Sequence, residues 1–420
     1  MSTRPSPAFF SDDLLTVILS LLPVKSLLRF KCVSNPWNTL ISDPNFVKFH
    51  LRKSRNQHFT LVTHHLKIIK GNSPYGSDDE AEIDYSIIPY PIPRLIDNPS
   101  FTLVADSHSL LNEKDCSGIA GYCNGLICLT GYRSADVECY DYWLRLWNPA
   151  TRIISPKIGC FRDLRGFIFN FGCDNSTGTF KVVASRYIRD HLTSEVRILS
   201  LDHKVWRNIE SFPVVHLRLD HQGFGHIDVF LNGTLNWLAV HNDIPVTWYH
   251  DPVVQDITVE QIVIVSLDLG TESYNQYRLP QGVDEVPPIE PSVSVLGDCL
   301  CFSYSYKMTN FIIWQMKEFG VDESWTQFLK ISYHDLQSKY DFRFPLLTPL
   351  FLSKDGDTLI LRNDKEREAI IYNWRDQRVE RTGIIVRKTS IDYGTKNSFI
   401  ESTLILELAK GYVESLISIC

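Results

Sequence analysis

The stretch from Ser11 to Phe46, SDDLLTVILSLLPVKSLLRFKCVSNPWNTLISDPNF, sets the reading of the whole chain. Ser11 is a good N-cap, and Asp12 and Asp13 follow in the first turn, where the helix dipole favours negative charge. The spacing predicts a helix to Leu22, stopped by Pro23. Pro23 can also open a second helix over 24–33, because its fixed φ suits a first turn. Ser34 can cap a third helix with Pro36 in its first turn, ended by Asp43-Pro44. Helix one carries Leu14, Leu15, Val17, Ile18, Leu19, Leu21 and Leu22, and helix two adds Val24, Leu27, Leu28, Phe30 and Val33. That is too wide an apolar surface for three short helices to hide among themselves. Either the rest of the chain or a second protein must cover the excess.

Charge sets this head apart. Residues 1–55 hold 8 Lys/Arg and 3 Asp/Glu, a net of +5, inside a 420-residue chain whose overall net is −7. A basic head on an acidic body suits an acidic partner for the head and argues against a general nucleic-acid binder. No apolar run approaches the roughly 18 residues a membrane span needs. The N-terminus has no apolar signal core, since Asp12 and Asp13 interrupt it. The 10 Cys form no C-x-x-C pair, which fits reduced thiols in the cytosol or nucleus.

Beyond residue 53 the period changes. Strand-like runs such as Leu126–Leu129, Leu144–Trp147, Val229–Leu231, Ile262–Val265 and Leu359–Leu361 are separated by Gly, Asn and Asp. Two hairpin types alternate. One has a tight turn at Asn124-Gly125, Asn232-Gly233 or Asp355-Gly356. The other ends a strand in a polar turn, as after Trp147, Leu201, Leu267 and Tyr372. Two hairpins make one four-stranded sheet, the unit of a β-propeller. Pairing them gives about five units, with strands near 57–63 and 397–408 left to complete a sixth. The expected fold class is therefore α+β multidomain: a three-helix head and an all-β, propeller-like body of about six blades, with a β-sandwich-like stack as the rival. The expected organisation is a flexible tail over 1–8, a helical domain over 9–52 and the β-body over 53–420.

The head resembles the F-box of plant F-box proteins. The matching residues are Asp12-Asp13-Leu14-Leu15, Ile18-Leu19, Leu22 to Phe30, Val33-Ser34, Trp37 and Leu40 to Pro44. In that family the motif docks on the Skp-type adaptor of an SCF ubiquitin ligase and through it on a cullin. The resemblance implies an adaptor-binding role for Phe10, Leu14, Ile18, Leu22, Pro23, Val24, Leu27, Leu28 and Val33, with Trp37 bracing the third helix. Phe10-Ser11 replaces the family's usual Leu-Pro, and Asn35-Pro36 its usual Lys-Ser, so docking is expected to be weakened rather than lost.

The body resembles the type 1 F-box-associated domain through Gly121 to Cys128, Leu146-Trp-Asn-Pro-Ala-Thr-Arg152, Gly172-Cys-Asp174, Asn232 to Leu238 and Ile264 to Asp268. Tyr412-Val-Glu-Ser-Leu416 resembles the tail of the S-locus F-box-like branch, related to F-box/kelch-repeat proteins, although no Gly-Gly pair marks a kelch repeat. In that family the domain recruits a protein for ubiquitination. Trp147, Asn148 and Pro149 read as turn and core residues.

No P-loop, dinucleotide fingerprint or Gly-x-Ser-x-Gly elbow occurs. His216, His221 and His226 lack the spacing of a metal site, and Cys299 with Cys301 reads as packing, so no metal, cofactor or catalytic residue is expected. Trp248, Tyr249 and His250, in the long insertion 242–260, are the candidate target-binding residues. The expectation is a non-enzymatic receptor with an adaptor, a cullin and a target protein as partners, no nucleic acid and no membrane. The rivals are a hydrolase-like propeller enzyme and a non-degradative scaffold.

Overall fold

Ser11 opens α1 (Asp12–Ser20), its hydroxyl accepting from the Leu14 amide at 3.3 Å. Pro23 leads into α2 (Val24–Lys31). Ser34 caps α3 (Asn35–Ser42) by accepting from Trp37 N at 3.4 Å. A fourth helix, α4 (Pro44–Ser54), corrects the three-helix expectation. Pro44 does not end the head; it stands first in a new helix, where a missing N–H costs nothing. Asp43 caps that helix, its carboxylate accepting from Asn45 N at 2.8 Å and Phe46 N at 3.1 Å. His50 ties α4 back to the turn between α1 and α2 through a 2.9 Å contact between its Nε2 and Leu22 O.

The structure is a computed structural model. It describes residues 11–54, 60–69, 84–91, 96, 115–116, 118–136, 138–164, 166–188, 193–216, 229–241, 257–336, 346–363, 368–381, 400–405, 411–412 and 415–419. The 1–8 segment and Phe10 lie outside them, as do Trp248, Tyr249 and His250.

Among the described residues the body forms six antiparallel sheets. The chain first lays down β1 (Thr60–Ile69) and β2 (Asp84–Pro91). Blade one holds β3 (Gly118–Cys123), β4 (Leu126–Ser134), β5 (Cys139–Asn148), β6 (Ile153–Ile154) and β7 (Ile158–Leu164). Blade two holds β8 (Ile168–Cys173), β9 (Phe180–Ile188), β10 (Thr193–Ser200) and β11 (Val205–Asn208). Blade three comprises β12 (Val215–His216), β13 (Val229–Leu231), β14 (Thr234–Val240), β15 (Ile262–Asp268) and β16 (Tyr274–Arg278). Blade four comprises β17 (Ser292–Leu296), β18 (Cys299–Tyr306), β19 (Asn310–Met316) and β20 (Trp325–Ser332). Blade five is β21 (Leu347–Leu352), β22 (Thr358–Asn363), β23 (Glu368–Asn373) and β24 (Arg378–Arg381).

The last blade is shared by the two halves of the chain. β25 (Ile400–Ile405) pairs with β1 from His64↔Ile405 to Ile69↔Ile400, and β26 (Gly411–Tyr412) joins β1 at Thr60 and Leu61. Early and late strands thus occupy one sheet, which removes an open edge. This is the sixth unit that the leftover strands imply. Six separate sheets, with no strand common to two of them, rule out the sandwich-like stack.

Both hairpin types take physical form. Asn124-Gly125 and Asn232-Gly233 have both residues at positive φ (50° and 80°, 52° and 85°), as a two-residue hairpin turn requires. The polar turns repeat a different device. Positive φ recurs four residues after the strand ends Asn148, Ser200, Asp268 and Asn373, at Arg152, Lys204, Glu272 and Gln377. The inner strands read as continuous apolar runs instead of alternating ones. β14 is buried along its full length, and so is β22. β14 is covered on both faces by neighbouring blades, Leu238 and Val240 by blade four and Leu235, Trp237 and Ala239 by blade two. Clusters between blades supply the core: Trp237 with Val183, Ile198 and Val265, and Phe302 with Leu238, Ile264 and Leu300.

Candidate functional site

The apolar surplus of the head divides into two parts. One part is interior. Leu19 from α1, Val24 and Leu27 from α2, Ile41 from α3 and Phe46 from α4 form the head's core. Trp37 packs edge-on against Phe30, ring centroids 5.0 Å apart, and braces α3 on α2. The other part is a bare stripe along α1. Leu14, Val17, Ile18 and Leu21 are 44–49% exposed. Their i, i+3, i+4, i+7 spacing places them on one helix face, opposite Leu19. Val33, at 65% exposed, and the exposed Pro23 add apolar surface beside the ends of α2.

The residues read from the sequence as adaptor-binding fall accordingly into distinct places. Leu14, Ile18, Pro23 and Val33 are exposed; Leu22, Leu28 and Trp37 are half-buried. Val24 and Leu27 are 1% and 0% exposed, so their side chains serve the core and offer a partner almost no surface. Val17 and Leu21 complete the bare stripe, though neither is among the residues to which the resemblance assigns adaptor binding; the sequence spacing already places Leu21 on one face with Leu14 and Ile18. The signal that adds Val17 is the same spacing, once Leu19 is known to face inward. Lys25 and Arg29 stand exposed one turn apart on α2, so the head presents positive charge as well as apolar surface.

The body carries a second concentration of rings and charges, between blades one and two. Tyr142 stacks on Phe161 at 5.1 Å, and Phe161 meets Phe167 and Trp206 edge-on, both at 5.3 Å. The Arg186 and Arg197 guanidiniums lie over the Phe167 ring at 4.7 and 4.8 Å. Asp163 receives both guanidiniums, and Glu195 does the same. Burial works against the Asp163 carboxylate, but the Leu164 amide, Arg197 and Arg186 outweigh it and hold its pKa below the usual range. These charges are already satisfied within the chain, so the cluster is an inter-blade brace with Tyr132 and Leu164 exposed at its rim.

Elsewhere, burial pushes the Cys301 thiol up to about 12, which makes it inert packing beside the half-buried Cys299. Among the described residues no group of His, Cys, Asp or Glu is arranged to hold a metal ion. No helix among them is long and apolar enough to cross a membrane.

Comparison with known proteins agrees with this architecture. The F-box domain family matches residues 10–49, and the F-box associated beta propeller domain family matches 92–419. F-box/kelch-repeat protein At3g23880 of Arabidopsis thaliana is 30% identical over 330 residues, covering 78% of this chain and 80% of that protein. F-box protein CPR1 of the same plant is 26% identical over 377 residues, covering 83% and 78%. Among solved structures, the β-propeller domain of the Trilobed protease from Pyrococcus furiosus aligns with 66% of this chain and 72% of its own, at 10% identity and a TM-score of 0.34. On the two domain matches and the order in which they occur, the chain belongs to the F-box proteins that carry an F-box associated β-propeller domain.

Proposed function

We propose that this chain is the substrate-recognition subunit of an SCF-type cullin ubiquitin ligase. The head docks on a Skp-type adaptor, which connects it to the cullin, and the propeller holds a target protein for ubiquitination. The receptor transfers no chemical group itself; it raises the local concentration of target lysines near the ubiquitin-loading enzyme. It works in the cytosol or nucleus. The observation that carries this reading is the stripe Leu14, Val17, Ile18 and Leu21, left uncovered by a head that buries its other apolar face. An acidic adaptor surface with an apolar groove complements that stripe and the exposed Lys25 and Arg29 of α2.

The test is binding of purified Skp-type adaptor to the full chain and to a Leu14→Asp/Ile18→Asp double variant. The expected result is loss of measurable binding with the propeller still folded. Undiminished binding by the variant would remove the basis of the proposal.

A further inference from the structure

Residues 415–419 lie between the head and the propeller, with Leu416 on one side and Ile417 and Ile419 on the other. Leu416 enters the helical core beside Leu19, Val24, Leu27, Ile41 and Phe46. Ile417 and Ile419 pack on the other side, against the cluster of blades one and two that contains Ala120, Leu126 and Phe171. Successive side chains thus face opposite ways, so one short segment serves two cores. Ala150, in the turn after β5, also touches the head's cluster.

One side chain holds this segment in place. Asn148 is fully buried at the end of β5. Its Oδ1 accepts from Ala150 N at 3.0 Å and Thr151 N at 3.3 Å, which builds the turn. Its Nδ2 donates to Ser415 O at 3.0 Å and Ile417 O at 2.9 Å. The two halves of the amide therefore do separate tasks. The molecule contains its own control. At the equivalent turn of blade three, Asp268 accepts from Gly270 N at 2.7 Å and Thr271 N at 2.8 Å with no amide nitrogen at all. In blade five, Asn373 accepts from Arg375 N and Asp376 N, both at 3.0 Å, and donates to Thr358 within its own sheet. The turn needs only an oxygen. At residue 148 the nitrogen answers to the segment 415–417 alone.

We propose that segment 415–419 is the fastener that sets the orientation of the helical head on the propeller, and that Asn148 is its positioning residue. The inference does not depend on what covers α1. It implies that the angle between the helical head and the propeller is built into the chain, through a contact between residues some 270 positions apart.

The test uses Asn148→Asp in the full chain. Aspartate keeps the oxygen that the turn needs, removes both N–H donors, and sets a carboxylate against two carbonyl oxygens. Cys32 on the head and Cys160 on blade one are both exposed and take nitroxide labels, in a background in which the half-buried Cys139 and Cys299, and Cys420, are replaced by serine. The parent should give one narrow distance distribution by electron–electron double resonance. Asn148→Asp should broaden it at least twofold and speed hydrogen exchange in α1–α4 at least tenfold, with the propeller's melting transition retained. Leu416→Ala, which leaves the turn untouched, should broaden the same distribution. A parent-like distribution in Asn148→Asp would overturn the proposal. So would loss of the propeller transition in that variant, because the amide nitrogen would then be needed by the turn itself.

Discussion

Leu27 and Ile18 are both apolar residues of the head, yet the structure assigns them opposite work, and alanine at each position separates the two. Leu27 is 0% exposed and belongs to a core cluster that draws on every helix of the head. Leu→Ala at such a site costs about 2–5 kcal/mol. A unit this small holds roughly 3–5 kcal/mol in all, so Leu27→Ala should melt the head. Ile18 is 44% exposed. Its truncation removes only the covered half of a side chain worth about 1.5–3 kcal/mol when fully buried, and alanine's better helix propensity returns part of that. Folding should change by less than about 1 kcal/mol. The uncovered half is what a docked adaptor would bury, worth about 1 kcal/mol, or roughly fivefold in Kd. Hydrogen exchange over α1–α4 reads the first quantity and calorimetric titration with a Skp-type adaptor reads the second. Ile18→Ala should weaken docking with the head protected, whereas Leu27→Ala should lose both together. The reasoning fails if Leu27→Ala leaves the head protected, or if Ile18→Ala exposes it.

Two further outcomes follow from the body. Glu272 accepts from Lys181 at 2.9 Å and also from Arg207, linking blades two and three. Burial pushes its carboxyl up, but the Arg207 and Lys181 partners outweigh this and hold it below the usual 4.5. Its stabilisation is therefore present above pH 4.5 and lost as the pH falls through the lowered folded value. Glu272→Gln should flatten that acid limb in a plot of Tm against pH. It should also cost about 3 kcal/mol at neutral pH, because Lys181 stays buried without its carboxylate. For the thiols, Cys32 and Cys160 should alkylate in the native protein, while burial raises the pKa of Cys128 and Cys301 and protects them until unfolding. Mass spectrometry of alkylated peptides decides this, and early modification of Cys301 would contradict its place in the core.

Much of the fold was legible because it is written in local chemistry. Ser11 and Ser34 are caps by side-chain type alone, and Asn124-Gly125 and Asn232-Gly233 are turns because few other pairs tolerate two positive φ values. α4 was not legible, since Pro44 is compatible with both the end of one helix and the start of another, and the Asp43 cap decides between them. The inward face of α1 was ambiguous for a different reason. Five of its nine positions are apolar, so only the partners of Leu19 reveal which side is core. The fastener gave no local signal. Asn148 looks like any turn-forming asparagine, and its second task depends on residues far away in sequence.

The blade completed by β1 and β25 has a cost in time. β1 leaves the ribosome early, but the strand that covers its free edge follows roughly 330 residues later. At about 5–20 residues per second, that edge waits on the order of 15–70 s. Throughout that interval the nascent chain offers a template for pairing with other nascent chains, and chaperone occupancy of β1 is where production of this receptor would be limited.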